Sequence, residues 1–203
     1  MGDDKLRAWS LVTGFEPFGG STVNSSELVA NALSAARLPG VVTAVLPTSY
    51  RRAGVLMTAL MRQHRPSQVF MLGLAQSSAA IRFEEVAQNL DDCAAPDNDG
   101  EIRLGRCIIE EAPEIYGNTL PLDWMSRVAR GLGEKTTVSR DAGGFVCNHV
   151  FFTTAHLMVT EFPEIRCGFV HLPAVPQGSK RLNRIVDLVG IWATDKQNPG
   201  AAV

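Results

Sequence analysis

The chain has 203 residues, 45% of them apolar and 20% charged, which suits one globular domain with a full core and argues against a disordered or fibrous chain. A formal net charge of −2 without any Lys/Arg run gives no electrostatic footprint for nucleic acid or an anionic membrane surface. Four cysteines, Cys93, Cys107, Cys147 and Cys167, lack Cys-x-x-Cys spacing, so neither a disulfide framework nor a zinc site is indicated.

The polar start Met1-Gly2-Asp3-Asp4-Lys5, with no long apolar run after it, predicts a cytoplasmic protein without a membrane span. In chain order, the pattern predicts a strand over Trp9–Thr13 and a helix over Ser25–Ala36, whose Leu28, Val29, Ala32, Leu33 and Ala36 share a stripe; Asn24 or Ser25 is its N-cap. A strand over Val41–Leu46 and a helix over Tyr50–Arg62 follow, with Pro66 as the stop before a strand over Val69–Leu72. From Gly73 to Gly117, clusters such as Ala95-Pro96-Asp97-Asn98-Asp99-Gly100 predict an insertion with a hairpin or two. Beyond it come a helix over Asp123–Gly131, a strand over Thr136–Ser139, a helix over Asn148–Val159, a strand over Arg166–His171, a helix over Lys180–Thr194 and a frayed tail from Asn198. Short apolar strands alternating with helices predict a three-layer α/β/α fold with a mainly parallel twisted sheet, as one domain over residues 1–203.

Chemistry is concentrated in Asp141-Ala142-Gly143-Gly144-Phe145-Val146-Cys147-Asn148-His149, a glycine-containing loop between a strand and a helix. A thiol at a helix start feels the positive end of the helix dipole, which favours thiolate, and has unpaired amides nearby to hold an oxyanion. A buried small hydrophobe is the competing reading of Cys147, and the one preferred for the other three cysteines. A cysteine nucleophile needs a base. His171 closes a strand at the edge where open α/β sheets gather their sites, and Leu172-Pro173 is expected to stop that strand and leave the ring in the crevice. His149 is the rival, but two positions along a helix it points away from Cys147. Of the adjacent carboxylates Glu84 and Glu85, strand alternation lets only one face the site, and composition does not say which. In Gly14-Phe15-Glu16-Pro17-Phe18-Gly19-Gly20 no phosphate-loop motif is present; its two phenylalanines either wall a flat neutral pocket or pack beneath the loop.

Several separated motifs together closely resemble the pyroglutamyl peptidase I (pyrrolidone carboxyl peptidase) family of cysteine peptidases. They are Val12 through Gly20, Asn24, Leu46-Pro47, Glu84 through Asp92 leading to Pro96-Asp97-Asn98 and Gly100, the Cys147-Asn148-His149-Val150-Phe151 run, and His171-x-Pro173. The resemblance implies a Glu84–Cys147–His171 triad, which selects Glu84 over Glu85. It implies a pyroglutamyl pocket lined by Phe15 and Phe18, with Leu74, Phe145 and Val146 also expected to bind substrate. It further implies peptides with an N-terminal pyroglutamate as substrates and assembly as a homotetramer.

This chain departs from the family at Glu85 and at Ala94, where many members carry arginine, so a basic residue near the site is expected to be lost. The run Gly73-Leu74-Ala75-Gln76-Ser77-Ser78 is altered as well. The expected reaction is attack by Cys147 on the pyroglutamyl carbonyl, with His171 as general base and Glu84 as its orienting acid, through a thioester and without metal or cofactor. A non-catalytic binding protein on the same fold, and a nucleotide-binding α/β protein, are the competing functions.

Overall fold

The computed structural model describes residues 10–195. Trp9, the expected start of the first strand, and the tail from Asn198 lie outside the described residues. The first half alternates strand and helix: β1 (Ser10–Phe15), α1 (Ser25–Ala36), β2 (Val41–Leu46), α2 (Tyr50–His64) and β3 (Gln68–Ala75). Caps set these helices. Asn24 accepts from the Ser26 amide at 3.0 Å, which settles the N-cap of α1, and Ser49 accepts from the Arg52 amide at 3.2 Å to open α2. Arg37 and Arg65 close them in the left-handed region, at φ 49° and 42°.

The second half holds β4 (Ile81–Glu84), β5 (Val86–Gln88), β6 (Asp91–Cys93), β7 (Arg103–Arg106), β8 (Ile115–Gly117), α3 (Leu122–Gly131), β9 (Thr136–Ser139), α4 (Val146–Glu161), β10 (Arg166–Pro173) and α5 (Lys180–Thr194). The main sheet runs β2-β1-β3-β10-β4-β9, with every neighbouring pair parallel except β10 and β4. The expected mainly parallel α/β/α architecture is therefore present. Two things differ from the expected insertion. β4 belongs to the main sheet, and β3 extends through Gly73 and Leu74. The remainder forms two small antiparallel pairs, β5 with β8 and β6 with β7.

Strand alternation sorts the core into two faces. Val69 and Met71 of β3, with Cys167 and Phe169 of β10, pack under α2 and α4, against Met57, Met61, Val150, Phe151 and Phe152. Phe70, Leu72, Val170 and Leu172 pack on the opposite face, under α1, α3 and α5, against Val29, Met125, Leu188 and Trp192. No helix among the described residues is long and apolar enough to cross a membrane.

Candidate active site

The period-2 alternation of the sheet decides which polar residues meet. On β10, Phe169 belongs to the face under α2 and α4, so His171 points there too. On β4, Ile81 and Phe83 fill the opposite core, so Arg82 and Glu84 project to the face of His171. The antiparallel register brings Arg82 opposite His171 and Glu84 opposite Phe169. Glu84 Oε1 lies 2.7 Å from His171 Nδ1, with Glu84 fully buried and His171 4% exposed. An ionised carboxylate accepts from Nδ1–H, which leaves Nε2 as the free base. Glu85 turns the other way, into a largely exposed pair with Arg140 at 3.2 Å.

Contrary to expectation, Leu172-Pro173 does not end β10 just after His171. The strand continues through Pro173, in register with Ala75, so His171 sits inside the sheet rather than beyond its end. Proline is tolerated there because a strand terminus can do without one amide donor. Space for the ring comes from Gly73 on β3, where a Cβ would stand 2.9 Å from His171 Cδ2 and 2.7 Å from the Phe169 ring.

Cys147 is the second residue of α4, which begins at Val146, two positions earlier than expected. The first intrahelical donor is His149, to the Phe145 carbonyl at 3.2 Å, so the amides of Val146, Cys147 and Asn148 lie at the open helix end. Burial, and next the charge of Glu84, push the Cys147 thiol up to about 12, against the influence of Arg82 and its own backbone amide. At the half-buried Cys147, desolvation is the larger influence and opposes the helix end expected to favour thiolate. The same influences place Cys147 within electrostatic reach of both Glu84 and Arg82.

The loop before Cys147 is held from below. Gly143 takes φ +82°, and at Gly144 a Cβ would stand 2.3 Å from the Asp92 carbonyl oxygen. The Gly144 carbonyl accepts from the Asp92 amide at 2.9 Å and from Tyr50 Oη at 3.3 Å. Asn148, fully buried, accepts from the Gln88 amide and donates to the carbonyls of Gln88 and Leu90, tying α4 to the segment that follows Glu84. His149 is engaged elsewhere: its Nδ1 lies 2.9 Å from Asp91, its ring meets Tyr50 edge-on, and Arg103 bridges Asp91 while stacking over Tyr50 at 4.5 Å.

Glu85 and Ala94 stand where many family members carry arginine, but other arginines lie close to the site. Arg82 donates from Nε to Glu84 Oε1 at 2.7 Å, and Arg103 reaches Asp91 at 2.8 Å. Guanidinium groups thus serve the buried carboxylates of Glu84 and Asp91. Sequence reasoning missed Arg82, although its i−2 relation to Glu84 on a strand carried the signal. It also missed Asn118, which donates to the Glu84 carbonyl at 2.9 Å and is announced by no local pattern.

Of the expected pocket residues, Phe15 is 2% exposed and packs on Phe169, with ring centroids 6.2 Å apart. Phe18 is half-buried against Phe145 at 5.6 Å, and Phe145 in turn meets Tyr50 edge-on. The Glu16-Pro17 backbone beneath Phe18 is pinned by Thr48, Asn24 and Asn98. Leu74 is half-buried on β3, and the Val146 side chain lies wholly in the core.

The chain is similar to proteins of one known family. A family model described as pyroglutamyl peptidase matches residues 9–184. A pyrrolidone-carboxylate peptidase of Gloeobacter violaceus is 39% identical over 173 residues, covering 84% of each chain. One from Thermococcus litoralis is 36% identical over 82% of this chain and 76% of its own. The crystal structure of Bacillus amyloliquefaciens pyroglutamyl peptidase I superposes with a TM-score of 0.84 at 32% identity, covering 95% of this chain and 96% of that one.

Proposed function

Because the chain belongs to the pyroglutamyl peptidase family, we propose that it removes N-terminal pyroglutamyl residues from peptides through a Cys147–His171–Glu84 triad. The observation that carries the assignment is the 2.7 Å Glu84–His171 contact on the same sheet face as the start of α4. His171 Nε2 takes the Cys147 proton as sulfur attacks the pyroglutamyl carbonyl, since a thiol held near 12 is not ionised beforehand. Amides at the start of α4 face the oxyanion. The C–N bond breaks, the imidazolium of His171 gives its proton to the leaving amine, and a thioester remains. Water, deprotonated by His171, then releases pyroglutamate and restores the thiol. Glu84 fixes the Nδ1–H tautomer throughout and offsets the imidazolium charge.

Phe18, Phe145 and Leu74 are the half-buried apolar groups suited to a neutral lactam ring, with Phe15 backing them from the core. A charged N-terminal amine would have to be desolvated among these rings, which disfavours prolyl and glutaminyl peptides. The family also suggests a cytoplasmic homotetramer, and Val55 on α2 and Val159 on α4, 71% and 55% exposed, leave apolar surface for subunit contacts.

The test compares pyroglutamyl, prolyl and glutaminyl fluorogenic amides with purified protein. Turnover of the pyroglutamyl amide at least ~100-fold above the others is expected from neutral-pocket selection. Comparable turnover of all three would make this a different aminopeptidase, and binding without turnover would leave a non-catalytic binder.

A further inference from the structure

Glu84 is fully buried, and a neutral His171 gives it a hydrogen bond but no countercharge. In the resting state, with Cys147 protonated and His171 neutral, the carboxylate would be an uncompensated buried charge, an arrangement proteins avoid. Arg82 removes the difficulty. It approaches along the same strand face, 31% exposed at its own side chain, and donates from Nε to Oε1, the very oxygen that His171 engages. Its NH2 group stands 3.4 Å from His171 Nδ1. One carboxylate oxygen thus serves two donors, one permanently charged and one that gains charge during turnover.

We propose that Arg82 is a positioning residue for the catalytic dyad, which keeps Glu84 ionised before the reaction and limits how firmly Glu84 holds the His171 imidazolium formed during it. The inference rests on the triad reading given above. The first half of its role prepares the base, since an ionised Glu84 fixes the Nδ1–H tautomer. The second half concerns proton return. With a guanidinium sharing Oε1 and lying beside the ring, the imidazolium is poised to surrender its proton to the leaving amine rather than being trapped on Glu84. The charged groups against His171 are Glu84 and Arg82, both from β4, and Gly73 of β3 stands beside the ring; Cys147 of α4 feels the same two charges.

Two features separate this role from a surface ion pair. An exposed Arg–carboxylate contact would affect neither the pH profile nor turnover. Arg82 instead shares a buried oxygen with the base, so its removal should act on kcat and on protonation, and leave KM largely alone because Arg82 is not assigned to the substrate pocket.

The experiment measures kcat, KM and the acid limb of kcat/KM for wild type, R82Q and R82K on the pyroglutamyl amide, with ¹⁵N-NMR titration of the His171 ring in the same proteins. R82Q is expected to lose ~10-fold in kcat with KM within ~2-fold, and to move the acid limb upward by ~0.5–1 pH unit as Glu84 binds the imidazolium without competition. The NMR midpoint of His171 should move the same way, and R82K, which keeps the charge, should retain most of the wild-type behaviour. An unmoved limb and midpoint in R82Q would overturn the proposal. Should R82Q fail to fold, R82K decides: with the charge kept but the planar fork lost, a melting point near wild type and an unshifted limb are expected, and a limb shifted upward by about a unit refutes it. Wild type inactive on the pyroglutamyl amide would sink the functional reading by itself, while the NMR comparison would still judge Arg82.

Discussion

Gly168 on β10 makes room for Asn118: a Cβ at Gly168 would stand 2.3 Å from Asn118 Oδ1. Asn118 uses that space to donate from Nδ2 to the Glu84 carbonyl at 2.9 Å and to accept from the Leu120 amide at 2.8 Å, while its own amide donates to the Glu85 carbonyl at 2.7 Å. The missing side chain of Gly168 therefore leaves room for the amide that holds the main chain at Glu84. Gly168→Ala is expected to destabilise the protein by about 1–3 kcal/mol through overpacking. Because the displaced Asn118 holds Glu84, kcat/KM should fall as well. A variant that melts like wild type with full activity would show that the contact is dispensable.

Cys147 should remain a neutral thiol across the physiological range. Burial, followed by the Glu84 charge, pushes it up to about 12, so thiolate forms only as His171 takes the proton. The difference in 240 nm absorbance between wild type and Cys147→Ser is expected to stay flat from about pH 5 to pH 9, well below the raised value. A step in that interval would mean a preformed thiolate–imidazolium pair. The serine variant itself should lose on the order of 10³-fold or more in kcat, as removal of a covalent nucleophile does, with its fold intact.

Glu84 and Glu85 make a sharp pair. Glu84→Gln takes the charge from a buried oxygen shared by His171 and Arg82, and should cost on the order of 10²-fold or more in kcat, within the usual contribution of acid–base catalysis. Glu85→Gln only releases the exposed Arg140 and is expected to leave kcat within about twofold. Larger damage from the second substitution would reverse the assignment.

The same carboxylate links stability to pH. Burial raises the Glu84 value, but the hydrogen bond and charge of His171 and the Arg82 contact hold it below the ordinary 4.5. A group depressed in the native state contributes stability fully above its unfolded value, and that contribution disappears as pH falls through the native value. Wild type should therefore lose stability relative to Glu84→Gln as pH drops below about 4.5, measured as converging urea midpoints. Parallel curves down to pH 3 would contradict the linkage.

Phe15 and Phe18 are expected to separate by kind of effect. Phe15, 2% exposed and packed on Phe169, belongs to the core, so Phe15→Ala should cost about 3–5 kcal/mol of stability. Phe18 is half-buried against Phe145, so Phe18→Ala should raise KM for the pyroglutamyl amide with a much smaller change in melting temperature. Equal thermal losses would place Phe18 in the core too, and unchanged KM would remove it from the pocket.

The sequence by itself determined the alternation of strands and helices, the three-layer architecture and the positions of Cys147 and His171, because these depend on periodicity and on motifs within a few residues. It limited the acid to one of two neighbours through strand alternation, and the motif register pointed to Glu84. Tertiary structure alone decided the rest. Whether β4 joined a hairpin or the main sheet depended on its pairing with β10 and β9, and that pairing brings residues 82 and 84 to residue 171 across nearly ninety positions of chain. The upward push on the Cys147 thiol comes from burial, which no local pattern reports, and it opposes the helix end. The guanidinium partners were also set in space: Arg82 reaches Glu84 along its own strand, while Arg103 of β7 reaches Asp91 of β6 across a strand pair.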